Sequence, residues 1–258
     1  TGVGTILDDS SDVPTVSIVS AEPVTEGAPA EFTVTLSKAS SADVTVSFTT
    51  NDVTATKGLD YSDPSTLAVV IPAGETSVSL PVSTLEDDLY EDTETFEVVL
   101  TEAISAIGST SLTIVEDTGV GTILDDSSDV PTVSMSDVQV SEGENAIFTL
   151  VLSNPSSQDM TFELNFTDNT ATLGEDYLEG NSNVTIVAGT LESEAIVVPT
   201  VDDTAFEDDE TFTVVATIID GTVTNSPIEA VGTIISNEIL AINDINDTFE
   251  GQPVSGDV

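Results

Sequence analysis

The sequence contains no histidine, cysteine, tryptophan or arginine, and its only two basic residues are Lys38 and Lys57. Each absence removes a chemistry. Phosphate backbones are bound by Lys and Arg in number, so nucleic acid is excluded as a partner, and an anionic membrane surface is excluded for the same reason. Zinc sites rest largely on Cys and His. Serine–histidine and cysteine–histidine catalysis have no base to use. No apolar run approaches the roughly 18 residues of a membrane-spanning helix, so membrane insertion is not expected, and no leader peptide is visible.

Carboxylate is what the sequence has in abundance. The 258 residues include 48 Asp and Glu, for a formal net charge of -46, yet 39% of residues are hydrophobic. Disorder needs high charge together with low hydrophobicity, and here the apolar residues are plentiful and patterned. The acids concentrate in segments such as "EDDLYEDTETF" (86–96) and "DDTAFEDDETF" (202–212). Carboxylate oxygen is the ligand of hard cations such as Ca²⁺.

The chain repeats itself. "TGVGTILDDSSDVPTVS" occupies residues 1–17 and recurs unchanged over 118–134, a spacing of 117. Glu26 of "VTEG" answers Glu142 of "VSEG", Asp60 of "ATKGLDY" answers Asp176 of "ATLGEDY", and Glu91 answers Glu207, each 116 apart. A period this long means tandem domains, each large enough for its own core. The reading is a tail of a preceding repeat over 1–12, a first unit over 13–127 and a second over 128–240. The closing stretch, 241–258, opens a different module. The distance from Phe212 to Gly232 is 20 residues against 25 from Phe96 to Gly121, so the last hairpin of the second unit is expected to be shorter.

Within a unit the period is two. Phe32, Val34 and Leu36 share one face, as do Val44, Val46 and Phe48, then Val78, Leu80 and Val82, then Phe96, Val98 and Leu100. Such alternation, rich in β-branched residues and punctuated by Gly turns, reads as half-buried strands. About seven short strands per unit give an all-β fold: two tandem antiparallel Greek-key, immunoglobulin-like sandwiches. "TEAISAIGS" (101–109) is read as part of a hairpin rather than a helix. Loops after odd-numbered strands fall at one end of such a sandwich. That order brings Glu26, Asp60, Glu86, Asp87, Glu91, Glu94, Asp125 and Asp126 to one pole of the first unit. Uncompensated, so many like charges oppose folding, whereas several Ca²⁺ ions could share bridging carboxylates there. Asp129, in the joining "DSSDVP", is placed to reach the same pole and stiffen the joint.

The motifs "VTEGAPAEFTVTLS", "ATKGLDY", "IPAGETSVSLPV", "EDDLYEDTETFEVVL" and "GTILDD", with "VSEGENAIFTLVLS", "ATLGEDY", "DDTAFEDDETFTVV" and the weaker "VGTIISN", resemble the Calx-beta domain. That is the calcium-binding domain family of sodium–calcium exchangers and of many bacterial surface proteins. The resemblance spans most of residues 13–238 and implies the eight acids just named as calcium ligands in the first unit. In the second it implies Glu142, Asp176, Asp202, Asp203, Glu207 and Glu210. The terminal acid pair is lost there, Ser236 and Asn237 standing in its place. Asn237 still has an oxygen to offer, and Glu238 lies next to it, but the second unit is expected to hold fewer ions or hold them more weakly. "DINDT" (244–248) resembles the calcium-binding linker between cadherin domains, which implies Asp244, Asn246 and Asp247 as linker ligands.

No enzyme is expected. "DTG" (117–119) matches the aspartic-protease triplet, but such enzymes need two of these aspartates sharing a proton, and the second unit has "EAVG" there. The expected role is a calcium-rigidified spacer in a secreted or surface-exposed bacterial adhesin, monomeric, with neighbouring repeats of the same long chain as partners and no evident small-molecule substrate. A regulatory calcium sensor and an accessory or ligand-binding module of a secreted enzyme are the alternatives.

Overall fold

The computed structural model describes residues 12–238. In the first unit the strands are β1 (Val16–Val19), β2 (Val24–Thr25), β3 (Ala30–Leu36), β4 (Val44–Asp52), β5 (Tyr61–Ser62), β6 (Ala68–Ile71), β7 (Ser77–Thr84), β8 (Glu94–Ser105), β9 (Thr110–Ser111), β10 (Ile114–Glu116) and β11 (Thr118–Leu124). They form two facing sheets, ordered β10-β1-β3-β7-β5 and β2-β11-β8-β4-β6. The period-two faces are the core: Phe32, Val34, Val44, Val46, Val82, Phe96 and Val98 are fully buried. The stretch around residues 101–109 is the end of β8 and the turn into β9.

Each sandwich departs from a purely antiparallel plan at its first strand. That strand splits, and its second half crosses to the other sheet: β2 runs parallel to β11, with Val24 opposite Ile123. The crossing places Glu26, directly after β2, beside the carboxyl end of β11, where its N–H donates to the Leu124 carbonyl at 3.1 Å.

The second unit repeats the plan with β12 (Val133–Met135), β13 (Val138–Ser141), β14 (Asn145–Phe148), β15 (Leu150–Leu152), β16 (Met160–Asp168), β17 (Asn183–Ile186), β18 (Ile196–Pro199), β19 (Glu210–Asp220) and β20 (Ile228–Ile235). One sheet runs β13-β20-β19-β16-β17, again with a parallel edge pair; the facing layer is two shorter pairings, β12-β15 and β14-β18. The last hairpin is shorter, and among the described residues no strand corresponds to β10. A side chain takes over its role. In the first unit Val16 N–H donates to the Thr113 carbonyl at 2.9 Å; in the second, Val133 N–H donates to Asn225 Oδ1 at 2.8 Å, and Asn225 Nδ2 donates to the Val133 carbonyl at 2.8 Å.

Glycine sets the packing under each pole. The Phe96 ring lies across Gly121, so close that a Cβ there would stand 2.5 Å from the ring. The same ring stacks on Tyr61, centroids 4.3 Å apart and 12° from parallel, and Tyr61 donates its hydroxyl hydrogen to Asp52 at 2.5 Å. Gly232, Phe212, Tyr177 and Asp168 repeat the arrangement, with the stacked rings 4.4 Å apart.

The two units touch through the acidic loop of the first. Tyr90 N–H donates to the Pro155 carbonyl at 3.0 Å, and Ser157 N–H donates to the Tyr90 carbonyl at 2.9 Å. The Tyr90 ring packs against the core of the second unit. Asn154 Nδ2 donates to the carbonyls of Asp88 and Asp129, and Gln158 donates to the Asp92 carboxylate.

Replacing Asn225 by alanine strips the buried Val133 backbone of both partners. Leaving buried polar groups unpaired costs about 1–3 kcal/mol each. Urea unfolding should therefore show Asn225→Ala destabilised by at least about 1 kcal/mol, while Thr222→Ala, in the same loop, should be close to neutral.

Candidate metal centres

Each pole is built by turns that a sheet edge holds in place. Glu26 sits in a turn whose next residue, Gly27, has φ +72°, and a Cβ there would come within 3.1 Å of Glu86 Oε2. Glycine lets the two carboxylates approach. Asp60 precedes the buried Tyr61; its Oδ2 accepts from Thr56 N–H at 2.5 Å and its carbonyl accepts from Leu85 N–H at 2.9 Å. Asp125, at the end of β11, accepts from Glu91 N–H at 3.1 Å. Asp87 caps its own loop by accepting from Leu89 N–H at 2.7 Å.

The carboxylates converge in groups that include Glu26, Asp125 and Asp129; Asp60, Glu91 and Glu94; and Glu86, Asp126 and Asp129, the first and last sharing Asp129. Within each, one oxygen per residue lies within 4.8 Å of the others. Glu26 and Asp60 are each 8% exposed and Asp129 only 5%. Asp129 enters two groups although it belongs to the joint, which ties the pole to the start of the second unit. The two lysines are engaged elsewhere, Lys57 with Asp63 at 3.1 Å and Lys38 with Asp12 at 3.9 Å.

In the second unit Glu142, Asp203 and Glu207 form one group and Glu142, Asp202 and Glu238 another. Asp176 accepts from Thr172 N–H at 2.7 Å and lies against Glu210. Asn237 turns its amide nitrogen inward, donating to Asp202 Oδ1 at 2.9 Å and to the Glu142 carbonyl at 3.3 Å. It thus offers a hydrogen bond where the first unit has a carboxylate. Glu238, held by the Ser236 hydroxyl at 2.9 Å, supplies the acid that the terminal pair lacks. Asp244, Asn246 and Asp247 lie outside the described residues. Asp117 of the "DTG" triplet stands exposed at the start of β11, and its carboxylate accepts from its neighbour Thr118 at 2.9 Å.

The electrostatics follow from burial and proximity. Burial, reinforced by Asp87, Asp125, Glu91 and Glu86, pushes Glu26 up to about 8. Burial and then Asp60 push both Glu91 and Glu94 up to about 7. Asp129 rises to about 6 through burial and then Asp126. In the second unit Glu210 rises to about 7 through burial and then Asp176, and burial also raises Glu142 and Glu207. Glu26, Glu91, Glu94, Asp129 and Glu142 each keep a buried carboxylate oxygen with no hydrogen-bond partner. Such an atom is costly unless something cationic faces it. A donor set of carboxylate oxygens alone, with several groups sharing members, suits a hard divalent cation.

The Calx-beta domain family matches residues 9–119 and again 125–238. The chain belongs to the Calx-beta family. Among solved structures, CBD12 from CALX1.2 shares 17% identity with the chain over 79% of each, with a TM-score of 0.39. The Calx CBD2 domain shares 18% identity, covering 44% of this chain and 87% of that one, with a TM-score of 0.38. A search of the curated proteins finds no match. The comparisons indicate no catalytic family.

The raised carboxyls fix the sign of the pH response without metal. A folded-state value above the unfolded one favours folding below the unfolded value, and that contribution is lost as pH rises through the folded value. In metal-stripped buffer the unfolding midpoint should therefore fall between pH 5 and pH 8, through the range where Glu26, Glu91 and Glu94 ionise. Glu26→Gln should flatten part of that fall. A midpoint that rises over the same range contradicts the assignment.

Proposed function

We propose that the chain is a calcium-binding pair of extender repeats, in which cations held at the pole of the first unit keep the second at a fixed angle. Buried carboxylate oxygens left without partners at both poles carry this reading, because they ask for a hard cation and the chain's two lysines are engaged elsewhere. Glu26, Asp60, Glu86, Glu91, Glu94, Asp125, Asp126 and Asp129 would hold ions in the first unit, with Asp87 adding charge. Glu142, Asp176, Asp202, Asp203, Glu207, Glu210 and Glu238 would do so in the second. We expect more ions in the first, because in the second Asn237 donates a hydrogen bond instead of charge.

The mechanism is linkage. An ion that binds only the folded arrangement stabilises it by RT ln(1 + [L]/Kd), whatever its site. At the joint the same ions would order Asp129 and the Tyr90 loop together, so occupancy and interdomain angle are coupled. The identical 17-residue segments at 1–17 and 118–134 support a stiff array of such units. That suits a secreted or surface-exposed bacterial adhesin, where calcium is near millimolar and even weak sites fill. The coupling at Asp129 also supports a regulatory sensor, whose shape would change with calcium instead of merely stiffening.

Thermal unfolding decides the calcium reading. Saturating calcium should raise the midpoint by many degrees over chelator. Glu91→Ala with Asp125→Ala should abolish most of the gain of the first unit, and Glu207→Ala should affect only the second. No shift in either unit sinks the reading. Small-angle scattering then separates spacer from sensor: a spacer narrows its distribution of lengths with calcium about an unchanged mean, whereas a sensor moves the mean.

A further inference from the structure

We propose that the outer face of β14 and β18 in the second unit is a docking surface for a basic, apolar segment of a partner protein, with aliphatic side chains on Ile147, Val197 and Leu178 and a lysine or arginine on Glu179. Ile147 stands directly opposite Val197. Their neighbours Ala146, Phe148, Ile196 and Val198 face the core, so these two face outward, 53% and 37% exposed. Leu178 joins them from the adjoining segment. Its N–H donates to the Pro199 carbonyl at 2.9 Å, next but one to Val197, and its side chain is 47% exposed. Ala195 extends the row and is exposed as well. Gly180 runs so close to the Val197 carbonyl that a Cβ there would stand 2.6 Å from it, and glycine leaves that side of Val197 bare. A single exposed Leu is ordinary, whereas neighbouring apolar side chains rimmed by polar ones mark an interaction site.

The first unit shows that the fold does not require this face to be apolar. The residues 116 earlier are Glu31, Pro81, Ser62 and Ser79, in place of Ile147, Val197, Leu178 and Ala195. The pairing is the same, with Glu31 opposite Pro81, and the Ser79 hydroxyl donates to Glu31. A second exchange sets the charge. Asp63 accepts from the Thr50 hydroxyl at 2.5 Å and pairs with Lys57 at 3.1 Å. Glu179 keeps that carboxylate in the second unit, but Phe166 and Leu173 stand where Thr50 and Lys57 stand, and neither can donate. Both lysines of the chain belong to the first unit, and both are paired there. A basic group facing Glu179 therefore comes from another molecule. Lysine suits the place, because its aliphatic stem lies along apolar surface while its ammonium reaches a carboxylate, and the exposed Leu173 and Leu178 are that surface. A second copy of this chain fits poorly, since it brings the same net charge of -46 and no lysine to spare.

The test is calorimetric titration of the full chain, in excess calcium and at about 0.15 M salt, where the Debye length is about 8 Å. The probes are two synthetic peptides of equal length and charge, one of leucine and lysine, the other of glycine and lysine. Burying one or two aliphatic side chains should make the leucine peptide bind about tenfold tighter or more. Ile147→Glu and Leu178→Ser, which give these exposed positions the residues of the first unit, should each remove most of that preference with an unchanged unfolding midpoint. Glu179→Gln should weaken the leucine peptide as well. The sign of the first substitution is decisive: Ile147→Glu adds a carboxylate, so an attraction by net charge alone would grow, whereas docking on this face declines. Equal affinity for the two peptides, or tighter binding of the leucine peptide by the Ile147→Glu chain, overturns the proposal. So does a chain whose mass by sedimentation rises with concentration and is returned to monomer by Ile147→Glu, because the face then belongs to a second copy.

Discussion

Mutual repulsion among buried carboxylates is the constraint on which the rest of this structure depends. Two unit charges 4 Å apart interact by about 4 kcal/mol at an effective dielectric of 20, and each pole brings several such pairs together while both lysines pair elsewhere. The sandwiches must hold these groups in place against their own field. The raised Glu26, Glu91 and Glu94 show the strain being relieved in part by protonation. A cation is the other relief, and the two compete for the same oxygens.

What resists the field is the aromatic stack below each pole. Asp60 is followed by Tyr61, and Glu94 lies two residues before Phe96; the two rings stack face to face, with Gly121 leaving room for Phe96 to lie against the last strand. One packing unit thus fixes two carboxylates, and through β11 it fixes Asp125 as well. The "DY", "TF" and "VGT" motifs are therefore a single device seen from three strands. Tyr61 is fully buried within it, its hydroxyl bonded to Asp52.

The sandwich was legible because period two and burial are the same fact in a strand: Phe32, Val34, Phe96 and Val98 all face inward as their spacing requires. The convergence of the first pole was legible from strand order, since Glu26, Asp60 and Asp125 sit at strand ends. The split first strand and its parallel pairing were not, because "AEPVTEG" carries no periodicity to show a change of sheet. Asn225 was illegible for a related reason: a side-chain amide that imitates a strand leaves no hydrophobic pattern. Tyr90 did leave a signal, an aromatic amid acids with no strand to belong to, whose meaning depended on the surface across from it.

The two units share one plan but not one environment, and the difference lies in the chain that continues beyond each pole. After Asp126 the chain turns through Asp129 and at once becomes the next sandwich, so the first pole adjoins the second unit, and Glu26, Asp60 and Asp129 are buried there. Ser236 and Asn237 stand at the corresponding place in the second unit, so neither carboxylate of the terminal pair is kept there; Glu238 follows one residue on, and Asn237 donates a hydrogen bond to Asp202. Burial raises the cost of an unpaired carboxylate and sharpens its demand for a cation, since both the desolvation penalty and the attraction grow as water is excluded. The first pole is therefore the one whose folding and joint geometry are most tightly bound to cation occupancy, while the second can persist on hydrogen bonds when it is empty.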